Sequence, residues 1–227
     1  MREICLDTET TGLNPNNGDK IVEIGCVEMI NGVRTGNDYH QYINPRRNMP
    51  SEAFKVHGIS EEFLKDKPIF AHIADKFLEY IKGAKLVIHN AKFDMRFINF
   101  ELQLINREPL SFDHVIDTLV MARSKFPGAK NTLDALCRRF EVDLGKRTKH
   151  GALLDSELLA DVYIELMGGA QKRFKLKDSN NEEDARLAAS KAQKTIIPSR
   201  NYAVDEEILA KHKEFIVQNF KDSAWGY

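Results

Sequence analysis

The sequence predicts an α/β fold in which a mixed sheet is flanked by helices and followed by a flexible linker and an amphipathic helical tail. Short segments rich in β-branched residues alternate with longer segments whose apolar residues recur at helical spacing. Asn31-Gly32 separates two β-rich segments and is a strong hairpin signal, so part of the sheet should be antiparallel. After Gly168-Gly169 large apolar residues become sparse. The domain should therefore end near residue 167.

Length, charge and cysteine content limit the functions that the chain can have. Its 227 residues suit one domain with an additional tail. It has 33 Lys and Arg against 34 Asp and Glu, a net charge of -1, which argues against a protein that coats duplex nucleic acid through bulk positive charge. No apolar run approaches the ~20 residues of a membrane helix. Cys5, Cys26 and Cys137 lack CxxC spacing, so we expect reduced, buried thiols in a cytoplasmic protein.

The strands are predicted from β-branched residues and turn signals. A short apolar segment at the N-terminus ends at Asp7, and the next strand runs into the Asn31-Gly32 turn. The return strand should close at Asn44-Pro45, because proline cannot donate to a sheet ladder. The predicted strands span residues 4–7, 21–29, 33–43, 85–89 and 115–117.

The helices are predicted from apolar periodicity and capping residues. Ser51, Ser60 and Asn131 precede periodic segments and are the predicted N-caps. Gly83 follows a long periodic segment and should end that helix. The predicted helices span residues 51–56, 60–64, 68–82, 93–105, 119–125, 132–140 and 153–167.

Two further segments follow the domain. Residues 168–199 are charged and rich in Lys and Ala, which is typical of a flexible linker. Residues 200–227 regain an amphipathic pattern. Its apolar stripe consists of Ile208, Leu209, Phe215, Ile216 and Phe220. A short helix beyond a linker cannot build its own core, so the tail either folds back on the domain or, as we prefer, docks on a partner.

Asp7 and Glu9 are the first candidate functional residues. They flank Thr8 at the end of a predicted strand, and residues i and i+2 of an extended chain point to the same side. Two carboxylates on one face repel each other unless they are solvated or bridged by a cation. The pair alone is a weak signal, because most such pairs are solvated.

Asp94 and Asp155 strengthen the case for a metal site. Asp94 lies on the predicted helix face of Ile98 and Leu102, and Asp155 lies on the face of Leu159. An acid on a core-facing stripe is costly unless it is paired or metal-bound, although an interaction with the helix N-terminus is an alternative for Asp94. Four convergent carboxylates without thiolates suit Mg²⁺ or Mn²⁺.

His150 is the candidate general base. It lies five residues before Asp155, which on one helix would leave the two side chains about 140° apart, so we expect it on the preceding loop. A histidine beside a metal site can take a proton from water; the alternative is an exposed loop histidine. The neighbouring Lys146, Arg147 and Lys149 either hold phosphates or form an ordinary solvated loop.

Three segments carry a family resemblance. They read Asp7-Thr8-Glu9-Thr10-Thr11-Gly12-Leu13, His89-Asn90-Ala91-Lys92-Phe93-Asp94 and His150-Gly151-Ala152-Leu153-Leu154-Asp155. In this order they resemble the three motifs of the DEDDh 3′–5′ exonucleases, which have a ribonuclease H-like fold. The resemblance covers about residues 1–167, and no motif position departs from the pattern. Within that family, the Val56-His57-Gly58-Ile59 segment and the domain–linker–tail layout are most similar to proofreading subunits of bacterial DNA polymerase III.

The resemblance implies hydrolysis of the terminal phosphodiester at a 3′ end, with release of nucleoside 5′-monophosphates. Two Mg²⁺ or Mn²⁺ ions would be bridged by Asp7, with Glu9 and Asp155 completing one site and Asp94 supporting the other. His150 would activate the attacking water. All of these residues except Asp94 would also contact substrate.

The resemblance further implies contacts with the terminal nucleotide of a single-stranded DNA 3′ end. Thr10, Leu13 and His57 would make them, although core packing is the alternative for Leu13. His89 and Asn90 would brace the helix of Asp94.

Two partners are implied as well. Residues 200–227 would dock on the polymerase III catalytic subunit. The segment from Gln171 to Leu176 occupies the place of a sliding-clamp peptide, although it is basic and has one aromatic residue.

Three alternatives stay open. The enzyme could act on RNA, although DEDDh exoribonucleases generally lack a linker and docking tail. Asp7-x-Glu9-x-Thr11 loosely resembles the motif of haloacid dehalogenase-type phosphatases, but the glutamate and the His150–Asp155 pair speak against that class. A non-catalytic scaffold that stabilises a polymerase is the third, and the intact set of chemical residues makes this a secondary role at most.

Overall fold

A computed structural model describes residues 1–145, 149–168 and 205–219 of the protein. The chain divides into two units, Met1–Arg173 and Phe174–Tyr227. Apart from Gly168, the predicted linker and the whole Gln171–Leu176 segment lie outside the described residues. None of the helices in these ranges is long and apolar enough to cross a bilayer.

The first unit contains a mixed sheet with β1 at its centre. The strands are β1 (Arg2–Thr10), β2 (Ile21–Ile30), β3 (Val33–Arg34), β4 (Tyr39–Tyr42), β5 (Lys85–Ile88) and β6 (Val115–Asp117). Their order is β3-β2-β1-β5-β6, with β4 also paired to β2. β1 is antiparallel to β2 and parallel to β5, which is in turn parallel to β6. The predicted mixed α/β fold is therefore confirmed.

The helices fall within a few residues of their predicted bounds. They are α1 (Ser51–His57), α2 (Glu61–Leu64), α3 (Phe70–Ile81), α4 (Ala91–Leu104), α5 (Thr118–Lys125), α6 (Leu133–Arg139), α7 (Ala152–Leu166) and, in the second unit, α8 (Glu206–Asn219). Ser60 caps α2 as predicted, accepting a hydrogen bond from Phe63 N at 3.1 Å. The predictions for α1 and α6 were wrong by one residue, since Pro50 and Thr132 occupy the cap positions.

The single return strand predicted at residues 33–43 is instead two short strands along the same edge of β2. Side chains interrupt the ladder between them. The Glu28 carboxylate accepts hydrogen bonds from Thr35 Oγ1 at 2.7 Å and from Asn37 Nδ2 at 3.3 Å. Gly36 lies between them with a φ of 79°, a left-handed conformation that breaks an extended strand.

Helices cover both faces of the sheet, and successive side chains of β1 point alternately to one face and to the other. Ile4 and Leu6 belong to a core that also contains residues of α3 and α4. Cys5 belongs to a second core with Leu159 and Tyr163 of α7. Odd-numbered residues of β1 thus face α7. The three cysteines are buried free thiols, as their spacing predicts.

Gly25 of β2 lets the start of α7 approach the sheet closely. A Cβ at this position would lie 2.2 Å from the carbonyl carbon of Ala152 and the same distance from Leu153 N. Ser156 Oγ donates to the Gly25 carbonyl oxygen at 2.9 Å and fixes the contact. Backbone-to-backbone packing therefore sets the position of the first turn of α7, which carries Asp155.

Candidate active site

Asp7 and Glu9 lie within β1 and not at its end. The strand was predicted to stop at Asp7, but its pairing with β2 continues to Thr10, with an irregularity between Glu9 and Thr10. Asp7 is paired with Gly25 and Glu9 with Glu23. Since odd-numbered residues of β1 face α7, both carboxylates are on the side of the sheet where α7 begins.

His150 and Asp155 approach this pair from the start of α7. His150 Nδ1 lies 3.1 Å from Asp155 Oδ2, although five residues separate them, because His150 is on the loop before the helix as predicted. Donor atoms of Glu9, His150 and Asp155 all lie within 4.8 Å of one another. Asp155 is 4% exposed, in agreement with its position on the apolar helix face.

Asp94 reaches the site from the opposite layer. It lies in the first turn of α4 and is 3% exposed. Its Oδ1 accepts hydrogen bonds from Thr8 Oγ1 at 2.7 Å and from Thr8 N at 3.1 Å. Thr8 faces α4 because it alternates with Asp7 and Glu9, so one stretch of β1 contacts acids from both layers.

Two of the acids, Asp7 and Asp94, are difficult to ionise. Burial raises the pKa of Asp94 to about 7, against the hydrogen bonds from Thr8, which lower it. Burial also raises the pKa of Asp7 well above its ordinary value, and the neighbouring Asp94, Glu9 and Asp155 raise it further. A divalent cation would relieve this repulsion. The donors are carboxylate oxygens with one imidazole, so the residues fit a hard cation such as Mg²⁺ or Mn²⁺.

The junction between β5 and α4 is held by Asp117. Its carboxylate accepts hydrogen bonds from Asn90 N at 3.2 Å and Ala91 N at 3.1 Å, and it also caps α5. His89 Nδ1 lies 2.9 Å from Thr118 Oγ1 at the start of α5. His89 and Asn90 thus lie at the base of the Asp94 helix, where they were expected.

A cavity of about 580 Å³ lies on one side of the acidic cluster. It gathers the predicted nucleotide contacts Thr10, Leu13 and His57 around Glu9. Leu13 is 78% exposed, so the alternative of core packing is wrong for this residue. His57 is buried, accepts a hydrogen bond from Ile59 N through Nδ1 at 3.0 Å, and has a pKa lowered by burial.

A second cavity, of about 450 Å³, touches the cluster through Asp7, His150 and Asp155. Its wall includes Arg123 of α5, which the sequence does not single out, and Asn131, which the sequence marks only as a helix cap. No local pattern links either residue to the acids, because they reach the site only through the packing of α5 and α6. Phe93, in the first cavity, was also missed, although its place next to Asp94 in a motif was an available signal.

The structure describes only part of the basic loop before His150. Lys146, Arg147 and residue 148 lie outside the described residues. Lys149 Nζ lies 5.1 Å from the centre of the Phe54 ring, and His150 N donates to the Val56 carbonyl oxygen at 3.3 Å. The loop end that carries His150 is therefore attached to α1, whose residues also line the first cavity.

Comparison with known proteins finds similarity over most of the chain. A family model described as "Exonuclease" (RNase_T) matches residues 4–163. A protein named DNA polymerase III subunit epsilon from Rickettsia conorii is 54% identical over 228 aligned positions, which cover 97% of both chains. The protein of that name from Escherichia coli strain K12 is 46% identical, covering 92% of this chain and 90% of its own.

Solved structures give the same result at the level of the fold. Exonuclease X in complex with 5′ overhanging duplex DNA is 29% identical, with a TM-score of 0.56, covering 73% of this chain and 90% of its own. The nuclease domain of 3′hExo, a DEDDh family member bound to rAMP, has a TM-score of 0.64 at 19% identity, covering 73% and 91%.

Proposed function

The chain belongs to the exonuclease family, and on this premise we propose that it is the 3′–5′ proofreading exonuclease of a replicative DNA polymerase III. The observation that carries the proposal is the convergence of Glu9, His150 and Asp155 within 4.8 Å, beside Asp7 and Asp94. This arrangement fits phosphodiester hydrolysis, and family membership favours it over a haloacid dehalogenase-type phosphatase.

The chain's own residues define the steps of the reaction. Two divalent cations held by Asp7, Glu9, Asp94 and Asp155 would supply Lewis-acid stabilisation of the charge that develops on the phosphate. The contact of His150 Nδ1 with Asp155 orients the imidazole, so Nε2 is the atom that takes a proton from water. The water oxygen forms a bond to phosphorus, and the bond from phosphorus to the 3′ oxygen of the remaining strand breaks. That oxygen acquires a proton from solvent, and a nucleoside 5′-monophosphate leaves.

The larger cavity suits the terminal nucleoside. Leu13 and Phe93 give it apolar surface for a base, and Thr10 and His57 give it polar groups. A terminal nucleotide must leave its base pair to enter. Unpairing requires least free energy at a mismatch, so excision would favour errors.

A double substitution in β1 tests the metal site. Asp7→Ala with Glu9→Ala should abolish release of nucleoside monophosphate from a single-stranded oligonucleotide in Mg²⁺ or Mn²⁺. Asp75→Ala with Glu79→Ala removes the same charge from exposed residues of α3 and should retain activity. Full activity in the first variant would mean that the site is assigned wrongly. Parallel DNA and RNA oligonucleotides would decide between a deoxyribonuclease and an exoribonuclease.

Residues 200–227 are proposed to dock on the polymerase catalytic subunit. Ile208 and Leu209 recur with Phe215 at helical spacing in α8, and all three are substantially exposed. Deletion of residues 200–227 should leave nuclease activity intact but abolish co-elution with the catalytic subunit. Retained co-elution would place the docking surface elsewhere. Sliding-clamp binding by Gln171–Leu176 is a separate proposal, supported by its position after the domain and tested by clamp pull-down with and without that segment.

A further inference from the structure

The N-cap position of α7 is occupied by a glycine. This residue, Gly151, has no side chain that could make the cap hydrogen bond. The amide of Ala152 instead donates to Glu23 Oε2 of β2 at 3.1 Å. Amides at a helix N-terminus need an acceptor, and a carboxylate also interacts favourably with the helix dipole. Glu23 therefore accepts, from a neighbouring strand, the amide hydrogen bond that an N-cap side chain usually accepts.

The other carboxylate oxygen of Glu23 is held by the edge strand. Glu23 Oε1 lies 2.6 Å from His40 Nε2 of β4, and Glu23 is only 3% exposed. The carboxylate is thus fixed at both oxygens, one against a backbone amide of α7 and one against an imidazole. The side chain of Tyr42 also hydrogen-bonds to Glu23. A buried carboxylate held in this way is a rigid support.

Glu23 lies next to the reacting residues. It is directly opposite Glu9 in the pairing of β1 and β2. The amide that it binds is two positions after His150 and three before Asp155. Loss of the cap would let the start of α7 move relative to Glu9, and a displacement of about 1 Å near reacting groups can reduce a rate by about 100-fold.

We propose that Glu23 is a positioning residue of the active site: it caps α7 from the sheet and so fixes His150 and Asp155 against Glu9, with His40 holding its second oxygen. The proposal rests on the exonuclease function proposed above. It assigns Glu23 no contact with metal or substrate. The decisive property is the reach of its side chain, and not its charge.

Two substitutions separate the effect of the length of the Glu23 side chain from the effect of its charge. Glu23→Gln keeps the length and an oxygen that can accept from Ala152 N, but it removes the charge. Glu23→Asp keeps the charge but is one methylene shorter, so it cannot reach the amide without a shift of α7. We expect kcat on a single-stranded oligonucleotide to fall about 10- to 100-fold in Glu23→Asp, with KM within about 3-fold of wild type, and to stay within about 3-fold in Glu23→Gln.

Glu28 supplies the matched control. It is on the same strand, is 6% exposed, and is held by Arg2 and Thr35 at the end of β2 that lies away from the acids. Glu28→Asp should lower thermal stability at most, and leave kcat unchanged. A second readout that does not need turnover is calorimetric titration with Mn²⁺ alone. Glu23→Asp should weaken Mn²⁺ binding several-fold, whereas Glu28→Asp should not.

The outcomes are distinguishable. A folded Glu23→Asp variant with wild-type kcat and Mn²⁺ affinity overturns the positioning role, and so does a Glu23→Gln variant as impaired as Glu23→Asp. If Glu23→Asp does not fold, a normal kcat in Glu23→Gln supports the proposal and a 10-fold loss overturns it. A wild-type protein without nuclease activity would instead refute the proposed function, and the Mn²⁺ titration would still test the cap.

Discussion

Replacement of the buried acid Asp94 by asparagine should stabilise the metal-free protein at high pH. Asp94 is 3% exposed, and burial raises its pKa from 3.8 to about 7. The folded state thus favours the protonated acid. The associated stability is fully present below pH 3.8, decreases as the pH rises, and is lost above about pH 7.

The size of the effect follows from that shift. A difference of 7 − 3.8, about 3 pKa units, corresponds to about 4 kcal/mol between the two protonation states. Asparagine carries no charge and can accept both hydrogen bonds from Thr8, but its amide must also be desolvated. We therefore expect Asp94→Asn to be about 1–3 kcal/mol more stable than wild type at pH 8 and about equal to it at pH 5.

Urea unfolding in EDTA at several pH values measures this difference. Asp75→Asn, on the exposed surface of α3, is the control and should change stability by less than about 0.5 kcal/mol at every pH. Added Mg²⁺ should reverse the order at pH 8, because only the wild type gains from binding the cation with a charged Asp94. An Asp94→Asn variant no more stable than wild type at pH 8 in EDTA would refute the desolvation argument.

Three further predictions concern the surroundings of the acids. Gly25→Ala would place a Cβ 2.2 Å from the backbone of α7 and should lower the free energy of unfolding by about 3 kcal/mol or more in urea titrations. The control Gly36→Ala has no neighbouring atom within 4 Å of the added Cβ and should lower that free energy by about 1 kcal/mol. His150→Gln should lower kcat by about 10²- to 10⁴-fold in a steady-state assay and leave the fold intact by circular dichroism; an unchanged kcat would exclude the histidine as base. Leu13→Ala should raise KM for single-stranded DNA several-fold without changing the Mg²⁺ concentration for half activation, because Leu13 lines the cavity with an apolar side chain that cannot bind a cation. An unchanged KM would remove Leu13 from the substrate path.

Much of the site is readable in the sequence because it is encoded by local periodicity. The 3.6-residue repeat places Asp94 and Asp155 on apolar helix faces, and both are buried. The two-residue repeat of a strand places Asp7 and Glu9 on one side. The angle between residues five apart on a helix places His150 on the loop before α7, where it lies.

Strand ends and pairing were less predictable. β1 continues through Glu9 to Thr10 because β2 supplies partners along its whole length, and a single segment does not reveal that pairing. The return strand after Asn31-Gly32 is broken because Thr35 and Asn37 bind the Glu28 carboxylate. No local sequence pattern predicts this contact between segments.

The sequence by itself determined the fold class and the positions of the acidic residues and the histidine within their own elements, since each depends on residue type and on spacing within one element. Only the tertiary structure decided what supports them. Thr8 binds Asp94 across one face of the sheet, and Glu23 caps α7 across the other, because strand register and the close approach at Gly25 bring distant segments together. These contacts join residues more than 80 positions apart, and periodicity within an element contains no information about which distant residue will lie opposite.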